Sequence, residues 1–275
     1  MYIVTGGTGF IGSNIVNELA KKNCEIVVVD RLDHPFKKKY LSSLKLIKVI
    51  KPESLFKFVE NNHKTISSII HMGAISSTSE TNLKLLLNNN LFYSEKLFNL
   101  CNQFSIKFIY ASSAATYGGG ENGFDDNITL LDAIKLKPTN YYGLSKHLFD
   151  LKVLEQLNGS NKKLSSKPIG LKFFNVYGPN ELHKGSMMSP IPKFLKDIQT
   201  NKEVNLFKSH NKLFQNGMQS RDFIYVKDCV KIVMWFLKNK HHSGIFNVGS
   251  GKSKNFLELA QAIFDNQDLK SKIHF

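Results

Sequence analysis

The chain has 275 residues, 42% hydrophobic and 21% charged, which provides for one large core and a smaller lobe; no stretch approaches the ~18 consecutive apolar residues of a membrane span. Its formal charge of +15 raises the question of nucleic acid. The positive charge is nearly all scattered lysine, with arginine only at Arg31 and Arg221, and no helix-turn-helix or zinc-finger spacing occurs, so duplex recognition is disfavoured.

The N-terminal "MYIVTGG" has neither a basic region nor a cleavable apolar segment, and the chain reads as cytoplasmic, with no membrane and no nucleic-acid partner. Strand-length apolar runs alternate with helix-length amphipathic segments from the start. "YIVT" is a strand, 10–22 a helix, "EIVVVD" and "KLIKVI" strands, 52–62 a helix and "SSIIH" a strand. A long helix over 81–104, the strand "KFIYAS", a helix over 140–157 and the strand "IGLKFF" follow. Such alternation implies right-handed crossovers and an α/β fold, a doubly wound parallel (Rossmann) sheet whose ligands bind beyond the carboxyl ends of its strands.

Beyond residue 174 the pattern loosens into proline-bearing loops, a helix near 190–200, the strand "VNLF", a polar stretch over 208–220, "RDFIYV", a helix over 226–238, the strand "GIFNVG" and a helix over 255–265. We expect residues 1–174 to form the nucleotide-binding domain. Residues 175–275 then form a smaller α/β substrate-binding lobe, with segments around 221–247 returning to the main sheet. "NGSNKKLSSK" at 158–167 reads as a surface loop. Ile273 and Phe275 in "SKIHF" look like the start of a further strand, as in a chain that continues past its last residue. Cys24, Cys101 and Cys229 are widely spaced and odd in number, and read as reduced core thiols, neither disulfides nor metal ligands; no metal site is expected.

Chemistry concentrates at three places. "TGGTGFIG" follows the first strand and opens the first helix, with Gly6, Gly9 and Gly12 spaced so that backbone N–H groups reach a pyrophosphate at the helix's positive end. The second strand ends in Asp30, which favours a free ribose and NAD, whereas Arg31 beside it stacks on adenine or pairs with a 2′-phosphate; these residues alone leave NAD and NADP open. Lysines 37–39 read either as a solvated loop or as a phosphate clamp. "NYYGLSK" sets Tyr142 and Lys146 four residues apart on one helix face, so that the ammonium lowers the phenol's pKa towards that of a working base, and "YASSAATYG" places Ser112 and Ser113 just past a parallel strand. In this order the residues form a Ser/Tyr/Lys hydride-transfer site.

"TGGTGFIG", "HMGAISST", "YASSAATYGG", "YYGLSK", "FFNVYGP", "RDFIYV" and "GIFNVGSGKS" together resemble the extended short-chain dehydrogenase/reductase superfamily. "FNVYGPNELHKGSM" is similar to one branch of it, the ADP-L-glycero-D-manno-heptose 6-epimerases. The resemblance covers essentially the whole chain and implies an NADP enzyme that inverts C6″ of an ADP-heptose during assembly of the lipopolysaccharide inner core. It implies a homo-oligomer, a pentamer, as the working form. It implies Ser113, Tyr142, Lys146 and Lys184 as the catalytic set. For the cofactor it implies Gly6, Gly9, Phe10, Ile11, Gly12, Asp30, Arg31, Lys37, Lys51, Met72, Gly73, Ala74, Ile75, Ser76, Asn89, Lys146, Val176 and Lys184. For the sugar nucleotide it implies Asn175, Ser186, Lys193, Phe207, Lys208, Ser209, His210 and Arg221. The chain departs from the pattern at Lys193, where histidine is usual, at Arg31, where asparagine is usual, and in a longer segment from Phe207 to Arg221. Inverting an unactivated carbinol carbon requires oxidation and re-reduction, because its C–H is not acidic, and an alcohol oxygen that is deprotonated in one orientation and reprotonated in another gives Lys184 a role as a second acid/base.

Overall fold

Runs of apolar residues in a strand leave no face for water, and "YIV" at 2–4 and "IVVV" at 26–29 are of that kind. In the computed structural model, which describes residues 1–41, 44, 47–159, 164–209 and 215–275, they lie inside a parallel sheet covered on both sides. In chain order the elements are β1 (Tyr2–Thr5), α1 (Phe10–Lys21), β2 (Ile26–Val29), α2 (Pro35–Leu41), β3 (Ile47–Ile50), α3 (Leu55–Asn62), β4 (Ser68–His71), α4 (Leu83–Leu86), α5 (Tyr93–Gln103) and β5 (Lys107–Ser113). There follow α6 (Leu130–Ile134), α7 (Tyr141–Asn158), β6 (Ile169–Phe173), β7 (Asn175–Tyr177), α8 (Pro190–Asn201), β8 (Val204–Asn205), β9 (Ser220–Tyr225), α9 (Val226–Lys238), β10 (Gly244–Val248), β11 (Ser253–Asn255), α10 (Phe256–Asn266) and β12 (Ile273–His274).

The main sheet has seven parallel strands in the order β10-β6-β5-β4-β1-β2-β3, so the winding reverses between β1 and β4 and opens a crevice at their carboxyl ends. Alternate residues of each strand serve opposite cores. Val4, Val28, Ile70 and Ile109 pack with Ile15 and Leu19 of α1 and Val233 and Phe236 of α9. Ile3, Val27, Ile69 and Phe108 pack with Val59 of α3, Leu97 and Phe98 of α5, and Phe149 and Val153 of α7. A third core, Phe194, Ile198, Val204, Ala260 and Phe264, joins α8, β8 and α10 into a separate lobe.

Several expectations change. The helix expected over 81–104 begins at Leu83 behind an Asn82 cap and is interrupted by a π turn, Leu87–Phe92. The segment 52–62 opens with a 3₁₀ turn, because Pro52 follows an extended Lys51. Lysines 37–39 lie on α2, not in a loop. "VNLF" keeps only two residues in β8, which pairs with β12. Of the segments around 221–247, α9 packs against the main core and β10 joins the main sheet at its β6 edge, whereas β9 pairs with β7 and β11 in a three-stranded sheet of its own. The three cysteines are free; Cys101 and Cys229 are buried, and burial pushes the Cys229 thiol up to about 12. No helix among the described residues is long and apolar enough to cross a membrane.

Candidate functional site

The turn after β1 is built on the close approach of two backbones. Gly6 has φ +61°, and a Cβ on it would meet the Gly73 backbone at 2.7 Å, while a Cβ on Gly12 would overlap the Gly6 carbonyl. The turn is closed by Gly6 N–H to the Val29 carbonyl (2.9 Å) and Gly9 N–H to the Gly6 carbonyl (2.9 Å), and it delivers the chain into α1 at Phe10 and Ile11. No side chain caps that helix and its first turn holds no acid, so its positive end faces the crevice unneutralised. These features fit a dinucleotide's pyrophosphate. Asp30, one strand over, accepts from Thr8 N–H at 3.0 Å and Arg31 N–H at 2.7 Å, which holds its carboxylate at the crevice edge.

Cations gather around that carboxylate. Lys37 donates to Asp33 (2.9 Å), to Asp30 (3.4 Å) and to the Arg31 carbonyl (3.3 Å); burial opposes its charge, but the two carboxylates outweigh burial and raise its pKa. The Arg31 guanidinium is turned onto Glu53. Lys51 is exposed just past β3, at the far edge of this cluster.

The loop after β4 passes over the glycine turn. Gly73 N–H donates to the Thr5 hydroxyl at 3.0 Å and Met72 N–H to the Thr5 carbonyl at 3.1 Å. Ala74 and Ser76 are exposed, and Ile75 between them is tied by both backbone groups to Asn90, which accepts from its N–H (2.9 Å) and donates to its carbonyl (2.9 Å). Asn90, fully buried, also donates to Ser145 of α7 at 3.0 Å. Asn89 is exposed and bonded back to the Leu85 carbonyl of its own helix, so the asparagine that organises this loop is its neighbour. The π turn brings Asn90 inward; a residue pattern of period 3.6 does not reveal such a turn.

Ser113 ends β5, and its Oγ accepts from Ala115 N–H at 3.2 Å. Tyr142 and Lys146 project from the first turns of α7, which Asn140 caps by accepting from Gly143 N–H at 2.8 Å. Burial raises the Tyr142 phenol, its hydrogen bond with Ser113 works the other way, and the Asp150 charge raises it again. Lys146, one turn further along α7, donates to the Ala111 carbonyl at 2.8 Å. Lys146 is 3% exposed, and burial lowers its pKa to about 8 against the pull of Asp150.

Beneath these residues lies a polar cluster that sequence reading missed. Asp150 accepts from Tyr110 (2.9 Å), Ser112 (2.6 Å) and Lys172 (2.7 Å), all buried. An Asp four residues beyond Lys146 on a helix was the available signal, but its partners come from β5 and β6.

The Lys184 loop is organised by Glu181, 1% exposed, which accepts from Gly178 N–H (3.1 Å), Ser189 N–H (2.7 Å) and the Ser189 hydroxyl (2.9 Å). Lys184 reaches back to the crevice with Nζ 5.5 Å from the centre of the Phe10 ring, and burial lowers its pKa against the Glu181 charge. Ser186 is exposed, and its carbonyl accepts from Lys193 at 2.7 Å. Asn175 and Val176 sit half-buried on β7, beside β9, which carries an exposed Arg221 bonded to the Ser220 carbonyl. Phe207 is exposed with its ring edge against Phe256, Lys208 is exposed, and Ser209 N–H donates to Asn216 at 2.8 Å. His210 lies outside the described residues.

Four similarities bear on this geometry. Residues 2–249 match the NAD dependent epimerase/dehydratase family. The chain is 43% identical, over 100% of its length and 84% of the relative's, to the ADP-L-glycero-D-manno-heptose-6-epimerase of Nitratidesulfovibrio vulgaris. It is similar in fold to the crystal structure of the Helicobacter pylori ADP-L-glycero-D-manno-heptose-6-epimerase (TM-score 0.80, 28% identity, 99% of this chain and 84% of that one). It is also similar to the UDP-N-acetylglucosamine 4-epimerase of Methanobrevibacter ruminantium (TM-score 0.83, 27% identity, 100% of this chain and 84% of that one). The glycine turn, the uncapped helix and the Ser/Tyr/Lys cluster thus sit in a chain that matches one enzyme family over nearly its whole length, and this protein belongs to the NAD dependent epimerase/dehydratase family of nicotinamide-dependent enzymes.

Proposed function

We propose that this chain inverts C6″ of ADP-D-glycero-D-manno-heptose to the L-glycero epimer, with NADP as its bound cofactor, in supplying the inner core of lipopolysaccharide. The observation that carries this reading is Lys184. It comes from a loop separate from Tyr142 and Ser113, is half-buried against Phe10 at the head of α1, and has a pKa lowered by that burial. The 43% identity along the whole chain to a relative named for this activity supports the same substrate. The structural overlaps with a heptose epimerase and a UDP-sugar epimerase, 0.80 and 0.83 at 28% and 27% identity, reflect the shared scaffold and do not separate the two substrates.

Residues 1–174 would hold the cofactor and the lobe of 175–275 the sugar nucleotide. The open end of α1 suits the pyrophosphate, Asp30 the ribose, and Lys37 with Arg31 a 2′-phosphate, which favours NADP over NAD. The bound nicotinamide supplies reversible two-electron redox chemistry at the carbinol carbon and a positive ring charge. Ser113 holds the reacting oxygen, and the Tyr142 phenolate takes its proton as the alcohol is oxidised. Once the side chain has turned, the Lys184 ammonium returns a proton to the oxygen as the ketone is reduced. Lys146, one turn beyond Tyr142 on α7, ties that helix to β5 through the Ala111 carbonyl. A cytoplasmic homo-oligomer, a pentamer, is the form the resemblance favours.

The test is conversion of ADP-D-glycero-D-manno-heptose by the purified chain, with UDP-N-acetylglucosamine as the rival substrate. Lys184→Met is expected to lower epimerisation about 10²–10⁴-fold with cofactor content unchanged. Unaltered turnover would refute the two-base reading.

A further inference from the structure

Helix α2 touches both ends of the proposed site. At its first turn Lys37 bonds Asp33, Asp30 and the Arg31 carbonyl, so the helix is anchored where a cofactor's adenosine ribose would lie. One turn on, Tyr40 is three residues from Lys37 and on the same side of the helix. Its ring packs edge-on against His183 at 5.8 Å between centroids and 71° between planes, and its buried hydroxyl faces the Leu182 and His183 backbone. His183 immediately precedes Lys184, so the ring contact joins α2 to the loop that carries that lysine. Lys184 completes the path by returning to Phe10, the first residue of α1.

We infer that Tyr40 and His183 are positioning residues, and that α2 transmits occupancy of the 2′-phosphate position at Lys37 to the loop that presents Lys184. This inference rests on the reading of Lys37 as a phosphate contact and of Lys184 as the second acid/base. The physical cause is competition for Lys37. A dianionic phosphate draws the ammonium from Asp33 and Asp30, the first turn of α2 follows, and Tyr40 shifts against His183. A nucleotide lacking the 2′-phosphate has no such differential contact and moves nothing.

The probe is adenosine 2′,5′-bisphosphate, which carries the 2′-phosphate and ends far short of any nicotinamide, compared with 5′-AMP. Amide hydrogen exchange of residues 182–187 is read by mass spectrometry on the whole protein, free and saturated with each nucleotide. The bisphosphate is expected to slow exchange of this segment about fivefold or more, and 5′-AMP to leave it unchanged. Tyr40→Leu should abolish that protection while bisphosphate binding persists; Tyr40→Phe, which keeps the ring, should retain it. The proposal is overturned by equal protection with both nucleotides, by protection surviving in Tyr40→Leu, by a bound bisphosphate that leaves 182–187 unprotected, or by failure of the bisphosphate to bind. Epimerase turnover of the same preparation is measured in parallel. Absent turnover with protection intact counts against the functional reading alone, and intact turnover without protection counts against the coupling alone.

Discussion

Lys146 carries a charge that burial opposes. Its ammonium is 3% exposed, its pKa is lowered by burial from the ordinary 10.5 to about 8, and it has one carbonyl partner at 2.8 Å. Between about 8 and 10.5 the unfolded chain binds more protons at this residue than the folded one, so stability rises with pH across that window; below about 8 the full cost of the buried charge is present. Lys146→Met removes that cost, worth up to about 3 kcal/mol. It also abandons the Ala111 carbonyl, at about 1 kcal/mol. We therefore expect a net gain of about 1–2 kcal/mol in urea unfolding at pH 7, a gain that shrinks towards pH 10, together with a loss of turnover. A Met variant less stable than the parent at pH 7 contradicts this assignment. Tyr142 and Lys146 were legible in the sequence as a pair on one helix face; the direction of each pKa was not, because it depends on burial and on Asp150.

At the scale of elements, the π turn between α4 and α5 is where the crevice is shaped. Asn90 satisfies both backbone groups of Ile75 and reaches Ser145, so one side chain locks the loop after β4 to the helix that carries Tyr142. Asn90→Ala leaves these buried groups unpaired and is expected to destabilise the protein by about 2–3 kcal/mol in denaturant titration. It should also weaken cofactor retention more than it slows turnover at saturating cofactor; equal loss of both would place Asn90 in the chemistry instead. Helices α1, α7, α9 and α10 were legible from the alternation of strand-length and helix-length segments along the chain. The interruption at Leu87–Phe92 was not, since leucine and asparagine there satisfy an α-helical pattern equally well. Helix α2 was missed for a related reason: its seven residues bury no side chain fully, so it carries no apolar stripe, and it is placed by Lys37 and Tyr40 instead.

At the scale of the whole molecule, Asp150 and Lys172 join α7, β5 and β6, and both side chains are 1–2% exposed. Asp150→Asn leaves the Lys172 cation unpaired in the core and is expected to cost about 3–5 kcal/mol. Adding Lys172→Met should recover at least half of that loss in the double variant's unfolding free energy; no recovery would mean that the charge pair is not what the single change breaks. The sequence by itself determined the strand–helix alternation, the glycine turn, the Asp30 edge and the short-range Tyr142/Lys146 pair, because each is written in residues that are neighbours along a strand, a turn or a helix. Only the tertiary structure decided which polar groups meet across elements far apart in the chain. Asp150 finds Lys172, Asn90 finds Ile75, and Tyr40 finds His183 because burial leaves these groups no water, and the partners that replace it are chosen by distance in space, which no local periodicity encodes.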